Sequence, residues 1–172
     1  MPCIVRWPGR IPAGTTSAEL ATALDLLPTI ARAAGARSPE QTIDGRDITS
    51  VLDGTGPSPH QAFLYYEMAG LAAVRSGGWK LHLARRRQQV EELYDLTADV
   101  GETTDVSADH PDVVASLTRV AAEARRELGD SRLGITGRAV RAAGSVADPV
   151  PLTRYDPDHP YYAHEYDLTD RG

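Results

Sequence analysis

The sequence runs to 172 residues with 41% apolar and 24% charged side chains, which places it among folded globular chains and away from the composition of disordered ones. Its 18 Lys and Arg stand against 24 Asp and Glu, a formal charge of -6, so the molecule as a whole has no attraction for phosphate backbones or anionic lipid, and neither nucleic acid nor a membrane is expected as a partner. A single cysteine, Cys3, excludes an internal disulfide framework and a thiolate zinc site built by this chain alone, and no apolar run reaches the roughly 20 residues of a membrane span.

Residues 3–7 have strand character, with Cys3 expected as a small buried hydrophobe, and the breakers Pro8, Gly9, Pro12 and Gly14 follow. These first residues lack the charged-then-apolar layout of a signal peptide, and a chain opening inside a strand is expected to continue something longer. From Thr16 to Ala34 the pattern turns helical, with Asp25 the expected cap of a helix in which Pro28 sits in the first turn, where a missing N–H costs little. Leu27, Ile30, Ala31 and Ala34 form one apolar side, and Gly35 ends it. A short helix over Thr49–Leu52, closed by Gly54, precedes a turn-rich linker at 55–59.

Strand patterns occupy 62–67, 71–75, 79–84 and 92–96. With Gly77-Gly78 as a two-residue turn, Val74 faces Leu81 and Ala72 faces Leu83 on an apolar side shared with Trp79. Arg75, Lys80 and His82 then share the other side; a turn at Ser76-Gly77 would move every pair by one. Like charges across a hairpin repel, so an anion opposite these three relieves the cost, and they are the candidate contacts to a substrate rim. Glu67 or Glu92 can supply the same relief internally, and a solvated sheet face is the plain alternative. The Arg85-Arg86-Arg87 run, followed by Glu91-Glu92, reads as a solvated loop rather than a nucleic-acid patch.

Pro111 opens the clearest helix, with Asp109 and Asp112 placed against its N-terminal dipole and Arg125, Arg126 and Gly129 at its end. Its apolar stripe reads Val113, Leu117, Val120, Ala124 and Leu128, a face expected to cover the sheet. Beyond Asp130 the chain is punctuated by Gly and Pro and ends in a tyrosine-rich run at 155–166. Within that run His159, His164, Asp156 and Asp158 fit neither the 12-residue calcium loop of an EF-hand nor a zinc helix motif, so no metal site is expected there.

Several phrases in this order carry a family resemblance: Val5-Arg6-Trp7-Pro8-Gly9-Arg10-Ile11, Leu24-Asp25-Leu26-Leu27-Pro28-Thr29, Asp44-Gly45-Arg46, Ala73-Val74-Arg75, Trp79-Lys80-Leu81, and Glu92-Leu93-Tyr94-Asp95-Leu96 followed by Gly101-Glu102. The series resembles the C-terminal portion of a sulfatase, of arylsulfatase type. The resemblance implies an alkaline-phosphatase-like α/β enzyme that hydrolyses sulfate esters. Its formylglycine is made from Cys or Ser in a Cys/Ser-x-Pro-x-Arg motif, with calcium, Lys and His neutralising the sulfate. In this portion it implies an α+β arrangement: residues 1–60 end the α/β domain and join its central sheet, 61–130 form a small antiparallel sheet with a long covering helix, and 131–172 form an irregular tail. The resemblance also implies that in a complete enzyme this subdomain often borders the substrate cleft. Cys3 is followed by Val5 where the motif has Pro and by Trp7 where it has Arg, so it is not the formylglycine position, and no serine fits the motif. No catalytic residue, calcium ligand or cofactor is therefore expected in this chain, which is expected to be inactive alone and to partner the missing N-terminal portion. The alternative is a non-catalytic interaction module built on the same subdomain.

Overall fold

The computed structural model describes residues 3–37, 40–86, 88–142, 144, 145 and 147. The chain divides into two compact units, Met1–Val140 and Arg141–Gly172. The described residues of the second are exposed and carry neither helix nor strand, and the tyrosine run 155–166 with His159 and His164 lies outside the described residues. Among the described residues no helix is long and apolar enough to cross a membrane.

Four strands, β1 (Phe63–Glu67), β2 (Gly70–Ser76), β3 (Trp79–Arg85) and β4 (Gln88–Asp95), pair antiparallel in sequence order. Gly77, at φ 56°, makes the β2–β3 turn with Gly78 and sets Val74 opposite Leu81 and Arg75 opposite Lys80. One face of the sheet is the core: Val74, Leu81 and Leu93 are wholly buried and Leu71 nearly so. The helix α3 (Pro111–Leu128) covers that face with Val114, Leu117, Ala121 and Ala124, while Leu64, Trp79, Val113 and Val120 close its edges. The buried stripe departs from the expected one at its end. Residues 113 and 114, and 120 and 121, flank a contact line through Leu117 and Ala124, but the last turn overruns the sheet and leaves Leu128 exposed.

Beyond α3 the chain folds back. Asp130, fully buried, accepts from Arg125 Nε (3.0 Å) and from the backbone N–H groups of Leu71 and Arg132, and the amides of Arg138 and Ala139 return to carbonyls of Arg126 and Glu127. Those bonds satisfy carbonyls at the helix end that have no partner within the helix. The β3–β4 connection also differs from expectation. Strand β3 runs through Arg85 and strand β4 begins at Gln88, with Arg86 in a turn at φ 47°, so residues 88–91 are strand rather than part of a loop.

The first sixty residues are tied down by polar groups. Residues 3–7 form no strand, Cys3 is exposed and Ile4 almost wholly so, because no neighbouring strand among the described residues takes their backbone donors and acceptors. A single 3₁₀ turn (Ala23–Asp25) leads into α1 (Leu26–Ala33). The cap is Thr22 rather than Asp25: the Thr22 side chain accepts from Leu24 N–H, and Asp25 returns a carboxylate oxygen to Thr22 N–H at 2.7 Å. Asp25 and Thr29 are buried on one side of the helix, Thr29 Oγ1 donating to the Asp25 carbonyl (2.6 Å) and accepting from Ile48 N–H (3.1 Å). Leu26, Leu27 and Ile30 lie on the other side and are exposed. Apart from Pro28, which is also buried, helix α1 is thus packed inside out, polar groups inward and leucines outward. The Asp44-Gly45 turn presses on it so closely that a Cβ on Gly45 would lie 1.9 Å from the Leu24 carbonyl oxygen, which only glycine avoids. The short helix α2 (Thr49–Leu52) completes this part with Ile48 and Val51 buried.

Candidate functional site

Directly opposed residues of an antiparallel ladder share a face. The observed register therefore gathers Phe63 and Tyr65 of β1, Ala73 and Arg75 of β2, Lys80 and His82 of β3, and Glu92 and Tyr94 of β4 on the face opposite α3. This face carries the three residues picked out from the hairpin pattern. The ladder brings Lys80 and His82 together two residues apart on β3 but leaves Arg75 at the turn, where its Nε donates to the Gly77 carbonyl at 3.1 Å.

The carboxylate that meets the basic groups is Glu102, from the loop after β4, and not Glu67 or Glu92. Glu102 Oε1 accepts from Lys80 Nζ at 2.5 Å, while Oε2 lies 2.7 Å from His82 Nε2 and accepts from Arg85 Nη2 at 2.9 Å. Glu67 is engaged by Arg132, and Glu92 by Arg85 and the Tyr94 hydroxyl. Aromatic rings back the cations: Lys80 Nζ sits 4.6 Å from the Tyr65 ring centre, the Arg85 guanidinium 5.2 Å from that of Tyr94, and the His82 ring meets Tyr94 edge to face.

Glu102 is brought in by a loop fixed from both ends. Asp99 accepts from the amides of Thr103 (2.7 Å) and Thr104 (2.8 Å), and Asp105 accepts from those of Leu93 and Ser107, each at 2.9 Å. These are the local carboxylate-to-amide turns that Asp forms readily. Glu102 itself stands at φ 53°, in left-handed backbone. Sequence reasoning missed it because a residue seven positions past the end of β4 returns to the sheet through loop geometry that no periodicity encodes. The signals present were the Gly101-Glu102 phrase of the family resemblance and the pair of aspartates that bracket it, each three residues from the glutamate.

Burial raises the carboxyl of Glu102, but the hydrogen bonds and charges of Lys80 and His82 outweigh it and hold the group below its ordinary range. Burial pushes His82 down; its bond to Glu102 works the other way, and the charges of Lys80 and Arg85 lower it further. Lys80 and Arg85 are thus balanced by Glu102 and Glu92 around an imidazole whose protonation burial disfavours, and the patch is hydrogen-bonded internally rather than a bare anion pocket.

The other polar cluster is structural in its geometry. Asp25 Oδ1 accepts from Arg46 N–H and lies against His60 Nε2, both at 2.7 Å, with Oδ2 on Thr22 N–H. The described residues do not fit a calcium ion or a formylglycine. No three His, Cys, Asp or Glu side chains among them gather as ligands, the buried Asp25 and Asp130 already face N–H donors, and Cys3 lacks the flanking Pro and Arg.

The family model described as N-sulphoglucosamine sulphohydrolase, C-terminal, matches residues 1–127. Human arylsulfatase A (Homo sapiens) is 38% identical over 135 residues, 74% of this chain and 26% of the relative, and mouse steryl-sulfatase (Mus musculus) is 42% identical over 86 residues, 46% of this chain and 14% of the relative. Among solved structures, that of Ps i-CgsB has a TM-score of 0.59 at 25% identity, covering 77% of this chain and 30% of its own. The structure of BT4656 in complex with its substrate D-glucosamine-2-N,6-O-disulfate has a TM-score of 0.57 at 26% identity, covering 71% and 27%. The chain spans about a quarter of the length of human arylsulfatase A. Its order of motifs, its four-stranded sheet under one long helix and the match over residues 1–127 together make it a member of the sulfatase family, corresponding to the C-terminal portion of such enzymes.

Proposed function

We propose that this chain is the C-terminal portion of a sulfate-ester hydrolase and completes an active site whose nucleophile and calcium ligands belong to the N-terminal portion. In this reading residues 1–60 finish the α/β domain, 61–130 form the subdomain at the cleft and 131–172 the tail, and Arg75, Lys80 and His82 stand at the substrate rim. The observation that carries the reading is the inside-out helix α1, which buries Asp25 and Thr29 and turns Leu26, Leu27 and Ile30 outward. An exposed apolar stripe on a short amphipathic helix calls for a covering surface, and about three quarters of the length of human arylsulfatase A lies outside the match and can supply one.

The reading is tested by turnover. The purified chain alone is expected to give no aryl sulfate hydrolysis above a heat-killed control, and turnover by the chain alone would end the proposal. Mixed with the separately produced N-terminal portion of a related sulfatase carrying its formylglycine, it is expected to restore activity, with His82→Ala raising KM about tenfold through loss of a rim contact. The interaction-module reading is favoured by the internal balance of charge around Glu102, and failure of reconstitution together with a stable monomeric chain would select it.

A further inference from the structure

We propose that Glu102 is the positioning residue of the basic cluster: its carboxylate places the His82 proton on Nε2 and holds Lys80 and Arg85 to either side, so that the rim offers His82 Nδ1 as a hydrogen-bond acceptor. The proposal rests on the reading that Lys80 and His82 border the substrate.

An ionised carboxylate only accepts hydrogen bonds, so the imidazole nitrogen 2.7 Å from Glu102 Oε2 is the one that carries hydrogen. A neutral ring has one N–H, which leaves the lone pair on Nδ1. The groups facing His82 keep the ring neutral from several sides. Lys80 and Arg85 of β3 disfavour a second proton, Glu92 of β4 is occupied by Arg85 and the Tyr94 hydroxyl, and Tyr94 meets the ring edge to face. Among the described residues, Glu102 is the one that aims a carboxylate at the ring.

Three features point to the carboxylate rather than the loop as the working part. Left-handed backbone at φ 53° favours glycine, so glutamate adds nothing to the turn itself. The loop is already held by Asp99 and Asp105. Both carboxylate oxygens are used, one on Lys80 and the other shared by His82 and Arg85. A ring acceptor is repelled by sulfate oxygens and accepts from hydroxyl or amine donors, so His82 in this state addresses the organic half of a sulfate ester.

The test uses the full chain with ¹⁵N-labelled histidine and long-range proton–nitrogen spectra at neutral pH, with His82 assigned by its loss in His82→Asn. The expected wild-type pattern is hydrogen on Nε2 and a lone pair on Nδ1. Glu102→Gly, which suits the left-handed backbone and deletes the carboxylate, is expected to change the tautomer ratio by about fivefold or more, and Glu102→Gln to change it less. If the glycine variant disturbs the sheet amides, the glutamine variant supplies the comparison. Hydrogen on Nδ1 in the wild type, or an unchanged ratio in variants with intact sheet amides, overturns the proposal. This readout involves no turnover, so the rim reading falls separately, if His82→Ala leaves KM and kcat of the reconstituted enzyme unchanged.

Discussion

Asp25 shows how much one buried charge can organise. It is fully buried and gathers Thr22 N–H, Arg46 N–H and His60 around its two oxygens, joining three stretches of chain that share little apolar surface. Asp25→Ala leaves those donors unmatched and is expected to lower stability by about 2 to 4 kcal/mol in denaturant titration. Burial acts to raise its carboxyl, but the bonds from Arg46, His60 and Thr22 prevail and hold it below the usual range. Because the folded value is depressed, its contribution is complete above the unfolded carboxyl value near about 3.9 and is lost as pH falls through the folded one. Asp25→Asn is therefore expected to flatten the acid limb of a stability–pH curve below about pH 4, and a curve parallel to the wild type would show that the charge does not matter. At this scale the sequence was half legible. The two-glycine turn settled the register that puts Lys80 and His82 on one face, whereas Asp25 read as a simple cap because its partners, Arg46 and His60, lie 21 and 35 residues away.

The bounds of helix α3 were readable because its Pro, Gly and basic last turn mark it locally, and its stripe, repeating at helical spacing, was readable up to Ala124 but not at the exposed Leu128. Leu117 is buried at the centre of that stripe against the sheet, and Leu117→Ala is expected to cost about 2 to 4 kcal/mol, read as a lower unfolding midpoint. An unchanged midpoint would mean that α3 does not pack there. The segment at residues 3–7 shows the opposite case. Its apolar residues carry strand propensity, but a strand is defined by its neighbour, and none is present among the described residues. Helix α1 was legible at its C-terminal end yet neither at its start, since residues 16–22 form no helix, nor in orientation, since its amphipathic pattern is satisfied by burying either the leucines or, with enough hydrogen bonds, the threonine and aspartate. Gly45→Ala meets the Leu24 carbonyl at a distance no backbone tolerates, so it is expected to loosen this element alone, with hydrogen exchange rising in α1 and unchanged in β2 and β3.

At the scale of the chain, the exposed Ile4, Leu24, Leu26, Leu27 and Ile30 have a measurable consequence. The isolated protein is expected to bind a hydrophobic dye and to elute larger than a monomer, and the N-terminal portion of a related sulfatase is expected to reduce both signals. A compact monomer by light scattering with no dye bound would show that these side chains need no cover. The order of the strands has a further consequence, for kinetics. Each strand pairs only with the next, and the helix that covers them follows directly in sequence, so the contacts of the subdomain close loops of tens of residues rather than of the whole chain. Low contact order of this kind speeds folding, because little chain entropy is spent before the first pairings repay it. The meander can therefore zip up hairpin by hairpin, in roughly the microsecond range for each, without waiting for the residues that precede β1.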